Sequence, residues 1–263
     1  MVFLSTCSGD RATPPPLATS APTVLLNVGL SDNAEPLASI LSSAYAAKTE
    51  HASINFVAGN NEALFDDLNG EQLDAILVHH IADGSPNGRE YWFSPVALDG
   101  LVLVVHPQNA VASLTLAQVQ GLFSGEIGNW AAVGGPDRTV VPYGREPGDG
   151  SRTIFARRVM GSRPVNINTV IHSDSNSLLA DIATDDAAIG YTMIGALDDT
   201  VTAVAVDGIA PTPATAATQE YPLTVPLYFV ANGEPQGELR AFLAWLQSPE
   251  GQAIVSEKVG SIR

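Results

Sequence analysis

The chain has 263 residues, 45% of them hydrophobic and 15% charged, a length that suits one large globular domain or two modest lobes. Its apolar runs last only a few residues, far short of the roughly 20 needed to span a bilayer. Twelve Lys and Arg stand against 28 Asp and Glu for a formal charge of −16, which argues against nucleic acid as a partner because phosphate-backbone affinity depends on clustered cations.

The first residues, MVFLSTCSGD, read as the end of an apolar signal segment. They carry a Leu-Ser-Thr-Cys lipobox around Cys7, and RATPPPLATSAP follows as a tether that cannot pack a core. Cys7 is the only cysteine, so no intrachain disulfide is possible. A lipid on Cys7 would hold the protein at the outer face of a membrane; the competing reading is an incidental cysteine in a frayed terminus.

Residues 24–28, VLLNV, predict a strand that leads through LSDNAEP into a helix with Leu37, Ile40, Leu41, Ala44 and Tyr45 at 3.6-residue spacing. The pattern repeats when SINFVAG leads through Asn60 and Asn61 into the helical EALFDDL. It returns when LDAILV runs into the loop HHIADGSPNG. Three strand-to-loop units predict an open α/β sheet, where ligands gather at the carboxyl ends of strands.

LVLVV at 101–105 is a fully apolar strand closed by His106 and Pro107. In SLTLAQVQGLF, Thr115 and Gln118 have capping-box spacing, while Leu116, Val119 and Phe123 share one helix face. A second lobe is expected to start here, with strand TVVPY, the turn and helix of REPGDGSRTIF, a helix around SNSLLADIA and strand AAIGYT. The stretch 204–221 reads as loop, LTVPLYFVAN as strand. ELRAFLAWLQ reads as a helix returning to the first lobe, with Leu239, Phe242, Leu243 and Leu246 on one face. There is no internal repeat. The predicted organisation is a tether over 1–22, a first lobe from 23–106 and 222–263, and a second lobe from 107–221. Two crossing strands would join the lobes and leave a cleft where binding couples to hinge closure.

Six of the twelve cations, Arg138, Arg145, Arg152, Arg157, Arg158 and Arg163, fall between 138 and 163. Arg157 and Arg158 also fit a solvated helix face, whereas Arg145 and Arg152 bracket a glycine turn. The first turn of a helix leaves four N–H groups unpaired and carries partial positive charge. Gly148 and Gly150 would therefore let an oxyanion approach the backbone, and an arginine fork binds two oxygens at once. Asp149 sits where that anion would go.

With these residues in hand, the chain resembles the substrate-binding proteins of ABC phosphate importers, within the type II periplasmic binding protein superfamily. The segments that carry the resemblance are LTLAQVQGLFSGEIGNWAAVGG, REPGDGSRTIF, AAIGYT, VDGIAPTPATAATQEYPLTVPLYF and FLAWLQSPEGQAIV, in the family's order across roughly residues 24–263. The resemblance implies a two-lobed extracytoplasmic receptor, expected to be a monomer without a cofactor, that traps phosphate or a related small oxyanion and passes it to a membrane permease. Its implied ligand contacts are Ser31, Asp32, Asn33, Asn60, Asn61, His79 and His80 from the first lobe. From the second they are Arg145, Asp149, Gly150, Ser151 and Arg152.

Two positions depart from the family pattern: Asp149 stands where the family has serine, and His80 falls near the usual third-loop aspartate. Two unit charges 4 Å apart repel by roughly 4 kcal/mol at an effective dielectric of 20, about three decades of affinity if uncompensated. Three roles for Asp149 follow. It caps its own helix and the anion site is lost or shifted; or it accepts the proton that hydrogen phosphate carries and sulfate lacks; or the ligand brings its own donor, as a zwitterion or an amine-bearing organic phosphate would.

An enzyme is the rival class, yet the chain has no G-x-S-x-G elbow, H-E-x-x-H, paired CxxC or Walker loop. His79, His80 and Asp83 suggest a metal, but adjacent loop histidines are more often pocket or surface residues. A sensor or adhesion protein that reuses the fold without a permease is the other alternative, because fold does not fix function. Trp130 and Tyr191 read as packing residues rather than ligand stackers.

Overall fold

The computed structural model describes residues 23–82, 88 and 90–262. Cys7, the tether and Asp83 lie outside these residues. The first half is built from β1 (Val24–Ser31), a 3-10 turn (Asp32–Ala34), α1 (Glu35–Lys48), β2 (Ala52–Gly59), α2 (Asn61–Asn69) and β3 (Ala75–Val78), before the long β4 (Trp92–Val105). β5 (Ser113–Leu114), α3 (Leu116–Ser124), β6 (Val141–Arg145) and α4 (Gly150–Ile154) follow, and α4 continues as a π-helical stretch over Phe155–Met160. Then come β7 (Val170–His172), α5 (Ser175–Ile182), β8 (Ala188–Met193), β9 (Thr202–Val206) and α6 (Pro213–Ala217). The chain closes with β10 (Thr224–Ala231), α7 (Gly237–Leu246) and α8 (Pro249–Val255).

The strands run in the order β2-β1-β3-β10-β4-β8-β6-β7, with β9 paired to β4 and β5. β1 is parallel to both β2 and β3, and β10 is antiparallel to β3 and β4. β4 is the shared member: its first half pairs with β10 from Trp92 to Gly100, and its second half pairs with β8 from Leu101 to Val105. A strand covered on both faces must be apolar throughout, and Leu101–Val105 are all fully buried.

Two lobes result, each around its own core. The first draws on residues between Leu26 and Ala97 and between Leu227 and Val259, the second on Leu101 through Val225. The buried clusters change over at 98–100 within β4 and change back at Pro226 within β10. α7 rejoins the first lobe, where Phe242 and Trp245 pack on Tyr45 of α1 with ring centroids 5.1 Å away. Among the described residues, no helix is long and apolar enough to cross a membrane.

Local signals explain the helix starts. Asn60 caps α2 by accepting from Ala63 N, and Thr115 and Gln118 form the complete capping box on α3. The stretch 204–221, read as loop, instead holds the end of β9 and the short α6, whose Thr212 and Thr215 cap each other.

One buried cluster ties the crossing to both lobes. Asp99, fully buried, sits 2.9 Å from His79 Nε2 and accepts the N–H groups of Gly100 (2.7 Å) and Gly195 (3.2 Å). Removing that carboxylate strands one imidazole and two amides out of water. We predict that Asp99→Ala lowers unfolding stability by about 3 kcal/mol in urea titrations; a loss below about 1 kcal/mol would show that the cluster is not structural.

Candidate anion site between the lobes

Arg145 ends β6 at the carboxyl edge of the second-lobe sheet. Its backbone N–H donates to Tyr191 Oη at 3.2 Å, and the Tyr191 ring stacks on Phe155 with centroids 4.2 Å apart. Burial pushes the Tyr191 hydroxyl up to about 12. The arginine is thus set in place by the packed strand and π-helical stretch behind it.

The guanidinium is 1% exposed and lies where the lobes meet. Nη1 donates to Ser175 Oγ at 2.7 Å and Nη2 to the Ser173 carbonyl at 3.0 Å. Nη2 is also 2.8 Å from Asp32 Oδ2 and 3.1 Å from Asp149 Oδ2. Nε has no partner, although it is buried. One cation therefore faces two carboxylates, one from each lobe.

Of the three roles open to Asp149, the geometry displays the helix cap. Asp149 Oδ1 accepts Arg152 N at 2.8 Å and Ser151 Oγ at 2.5 Å, and Oδ2 takes the contact with Arg145. Arg152 folds back so that Nη1 donates to the Arg145 carbonyl at 2.6 Å. The two glycines are approached by side chains of α2. Gly148 has φ +89°, and an added Cβ would lie 2.7 Å from Glu62 Oε2; one on Gly150 would lie 3.2 Å from Asn61 Oδ1.

The first lobe supplies the opposing wall. Asp32 Oδ2 accepts Ser175 N, the first amide of α5, at 2.8 Å, and Asn33 Oδ1 accepts Ser175 Oγ (2.8 Å) and Thr192 Oγ1 (3.2 Å). Asn60 Nδ2 donates to Glu146 Oε1 at 3.0 Å, and Glu62 N to the Gly148 carbonyl at 3.2 Å. Asn61 Nδ2 donates to the His80 carbonyl at 3.0 Å, which fixes the amide and leaves the buried Oδ1 without a partner. These contacts hold the lobes closed on one another.

The expected contacts thus separate into groups. Asp32, Asn33, Asn61, Arg145, Asp149, Gly150, Ser151 and Arg152 come together, and Asn60 joins as cap and inter-lobe donor. Ser31 and His79 turn to each other, Oγ to Nδ1 at 3.3 Å, with His79 braced on Asp99. His80 lines, together with Arg157, two neighbouring cavities of about 380 and 350 Å³. The first of these is also lined by Asn61, Phe65, Tyr91 and Gly148. Sequence reasoning missed Ser175, Ser173, Thr192 and Glu146. The only available signal was the Asp174-Ser175-Asn176-Ser177 run heading α5, in which Asp174 accepts Ser177 N.

Asp32 is the perturbed member of the cluster. Burial raises its carboxyl above the ordinary value of 3.8; Arg145 opposes this, Asp149 adds to it, and the Ser175 amide opposes it. A buried arginine with amide and hydroxyl donors beside it, where two lobes meet, is a donor set suited to a small anion.

The comparisons agree. A family model described as a PBP superfamily domain matches residues 17–250, and the chain belongs to that superfamily. The chain is similar to the phosphate-binding protein PstS of Bacillus subtilis, with 28% identity over 206 residues, 78% of this chain and 63% of that protein. It therefore spans less than two thirds of that relative's length. Among solved structures, a candidate phosphate ABC transporter substrate-binding protein from Clostridium perfringens, with bound phosphate, superposes with TM-score 0.84 at 26% identity. It covers 91% of this chain and 100% of that one. An ABC-type phosphate transport receptor from Vibrio cholerae shares the fold at TM-score 0.70 and 22% identity, covering 90% and 99%.

The raised Asp32 carboxyl carries a pH signature. Because the folded chain holds this proton more tightly than the unfolded one, the associated stability is fully present below 3.8. It is lost as pH rises through the higher folded value. We predict that Asp32→Asn, neutral throughout, gains in Tm relative to wild type as pH rises from below 3.8 to neutrality. A pH-independent difference in thermal scans would count against this environment.

Proposed function

We propose that the protein is an extracytoplasmic solute-binding protein that captures phosphate or a related small oxyanion between its lobes for delivery to an ABC importer. The observation that carries this reading is Arg145. It is a guanidinium buried at the lobe junction with Nε unpartnered, inside the REPGDGSRTIF turn and in a chain similar to proteins named for phosphate binding. The ligand would meet Arg145, Ser175 and Asn61. The Asn61 Oδ1, held toward the cleft without a donor, suits an oxyanion that still carries a proton.

The two lobes would be 23–100 with 226–262, and 101–225. The partner would be the permease of the importer, the receptor would act as a monomer, and Cys7 would carry a lipid that tethers it to the outer face of the membrane. The relatives are named as binding and transport proteins, which supports reading this chain as a binding protein rather than an enzyme.

Isothermal calorimetry tests the reading. We predict that wild type binds inorganic phosphate and that Arg145→Lys, which keeps the charge but loses the planar fork, weakens binding roughly ten- to hundredfold. Absence of heat with phosphate, or an unchanged Kd in the lysine variant, would refute this assignment.

A further inference from the structure

At the lobe junction, Arg145 Nη2 and the Ser175 amide, two donors suited to an oxyanion, already hold a carboxylate, while Arg145 Nε has no partner. Asp32 Oδ2 takes Arg145 Nη2 at 2.8 Å and Ser175 N at 2.8 Å, both from the opposite lobe. A guanidinium together with the first amide of a helix is a donor set that recognises anions. Asp149, by contrast, is committed within its own lobe to Arg152 N and Ser151 Oγ. Asp32 stands on a three-residue 3-10 turn, and within its own lobe its side chain accepts from Asn33 Nδ2 at 3.2 Å. The two carboxylates are therefore not equivalent: one is built into the helix start, the other is inserted from across the cleft.

We propose that Asp32 is the chain's own occupant of the anion position, and that an oxyanion binds at Arg145 and Ser175 by displacing it. Asp32 thereby sets the affinity and charge selectivity of the site instead of contacting the ligand as a donor or acceptor. A dianion arriving beside both carboxylates would meet two like charges, whereas one that expels Asp32 meets only Asp149, which Arg145, Ser151 and the Arg152 amide already satisfy. The burial that raises the Asp32 carboxyl means that its ionised form is better solvated outside the cleft, which favours exchange. The identity of the displacing ligand rests on the phosphate reading above; the occupancy of the position by Asp32 does not.

The test uses two variants of the full chain. Asp32→Ala removes the carboxylate and leaves a gap of its size, and Asp32→Asn removes only the charge, which separates charge from packing and guards against misfolding of either. Sodium formate serves as a probe for the vacated position. We expect formate to raise the Tm of Asp32→Ala but not of wild type at equal ionic strength. We also expect both variants to bind inorganic phosphate at least tenfold more tightly than wild type in calorimetry. Formate rescue without phosphate binding by any form would leave the displacement model standing and remove phosphate as the ligand. No formate effect, together with phosphate affinities equal to wild type, would overturn the displacement model while leaving phosphate binding intact.

Discussion

The closed arrangement of this chain depends on one buried cation. Arg145 is nearly inaccessible to solvent and takes partners from both lobes: Asp32 from the first, and Asp149, Ser173 and Ser175 from the second. Moving a guanidinium out of water is costly unless its donors are met in good geometry. The surrounding chain is arranged to meet them. β6 delivers the side chain to the sheet edge, Tyr191 holds its amide, and the α4 cap and the start of α5 converge on its fork. The first lobe completes the set by inserting Asp32.

This constraint links the cleft to the hinge. The strand ends that carry Asp32 and His79 lie side by side, β1 being parallel to β3. His79 is braced against Asp99 where β4 crosses between lobes, and Asp99 in turn accepts Gly195 N from the second lobe. A shift of Asp32 toward or away from Arg145 therefore bears on the segment about which the lobes would rotate. Closing-cleft receptors couple binding to such a rotation, and here Ser31 and His79, 3.3 Å apart, connect the cleft side of the first lobe to the crossing.

Much of the fold was legible because its signals are local. Asn60 ahead of α2, the Thr115–Gln118 box on α3 and the apolar run 101–105 each report their own backbone state within a few residues. β9 and α6 were not legible, because a Pro-, Ala- and Thr-rich stretch reads as loop and a Thr–Thr reciprocal cap lacks the usual Glu or Gln. In the site, Arg145 and the capping tendency of Asp149 could be read from one short segment. The pairing of Asp32 with Ser175 joins residues 143 apart. Nothing in either neighbourhood distinguishes an aspartate that contacts a ligand from one that takes the ligand's place.

If Arg145 is the anion receptor of the cleft, its unpartnered Nε–H offers the most direct measurement. In 15N-detected NMR, the arginine Nε–Hε signal that disappears in Arg145→Lys can be followed through a phosphate titration. We expect this signal to shift saturably with phosphate, with the same Kd that calorimetry gives. An Arg145 signal that stays fixed while phosphate binds elsewhere on the protein would contradict it.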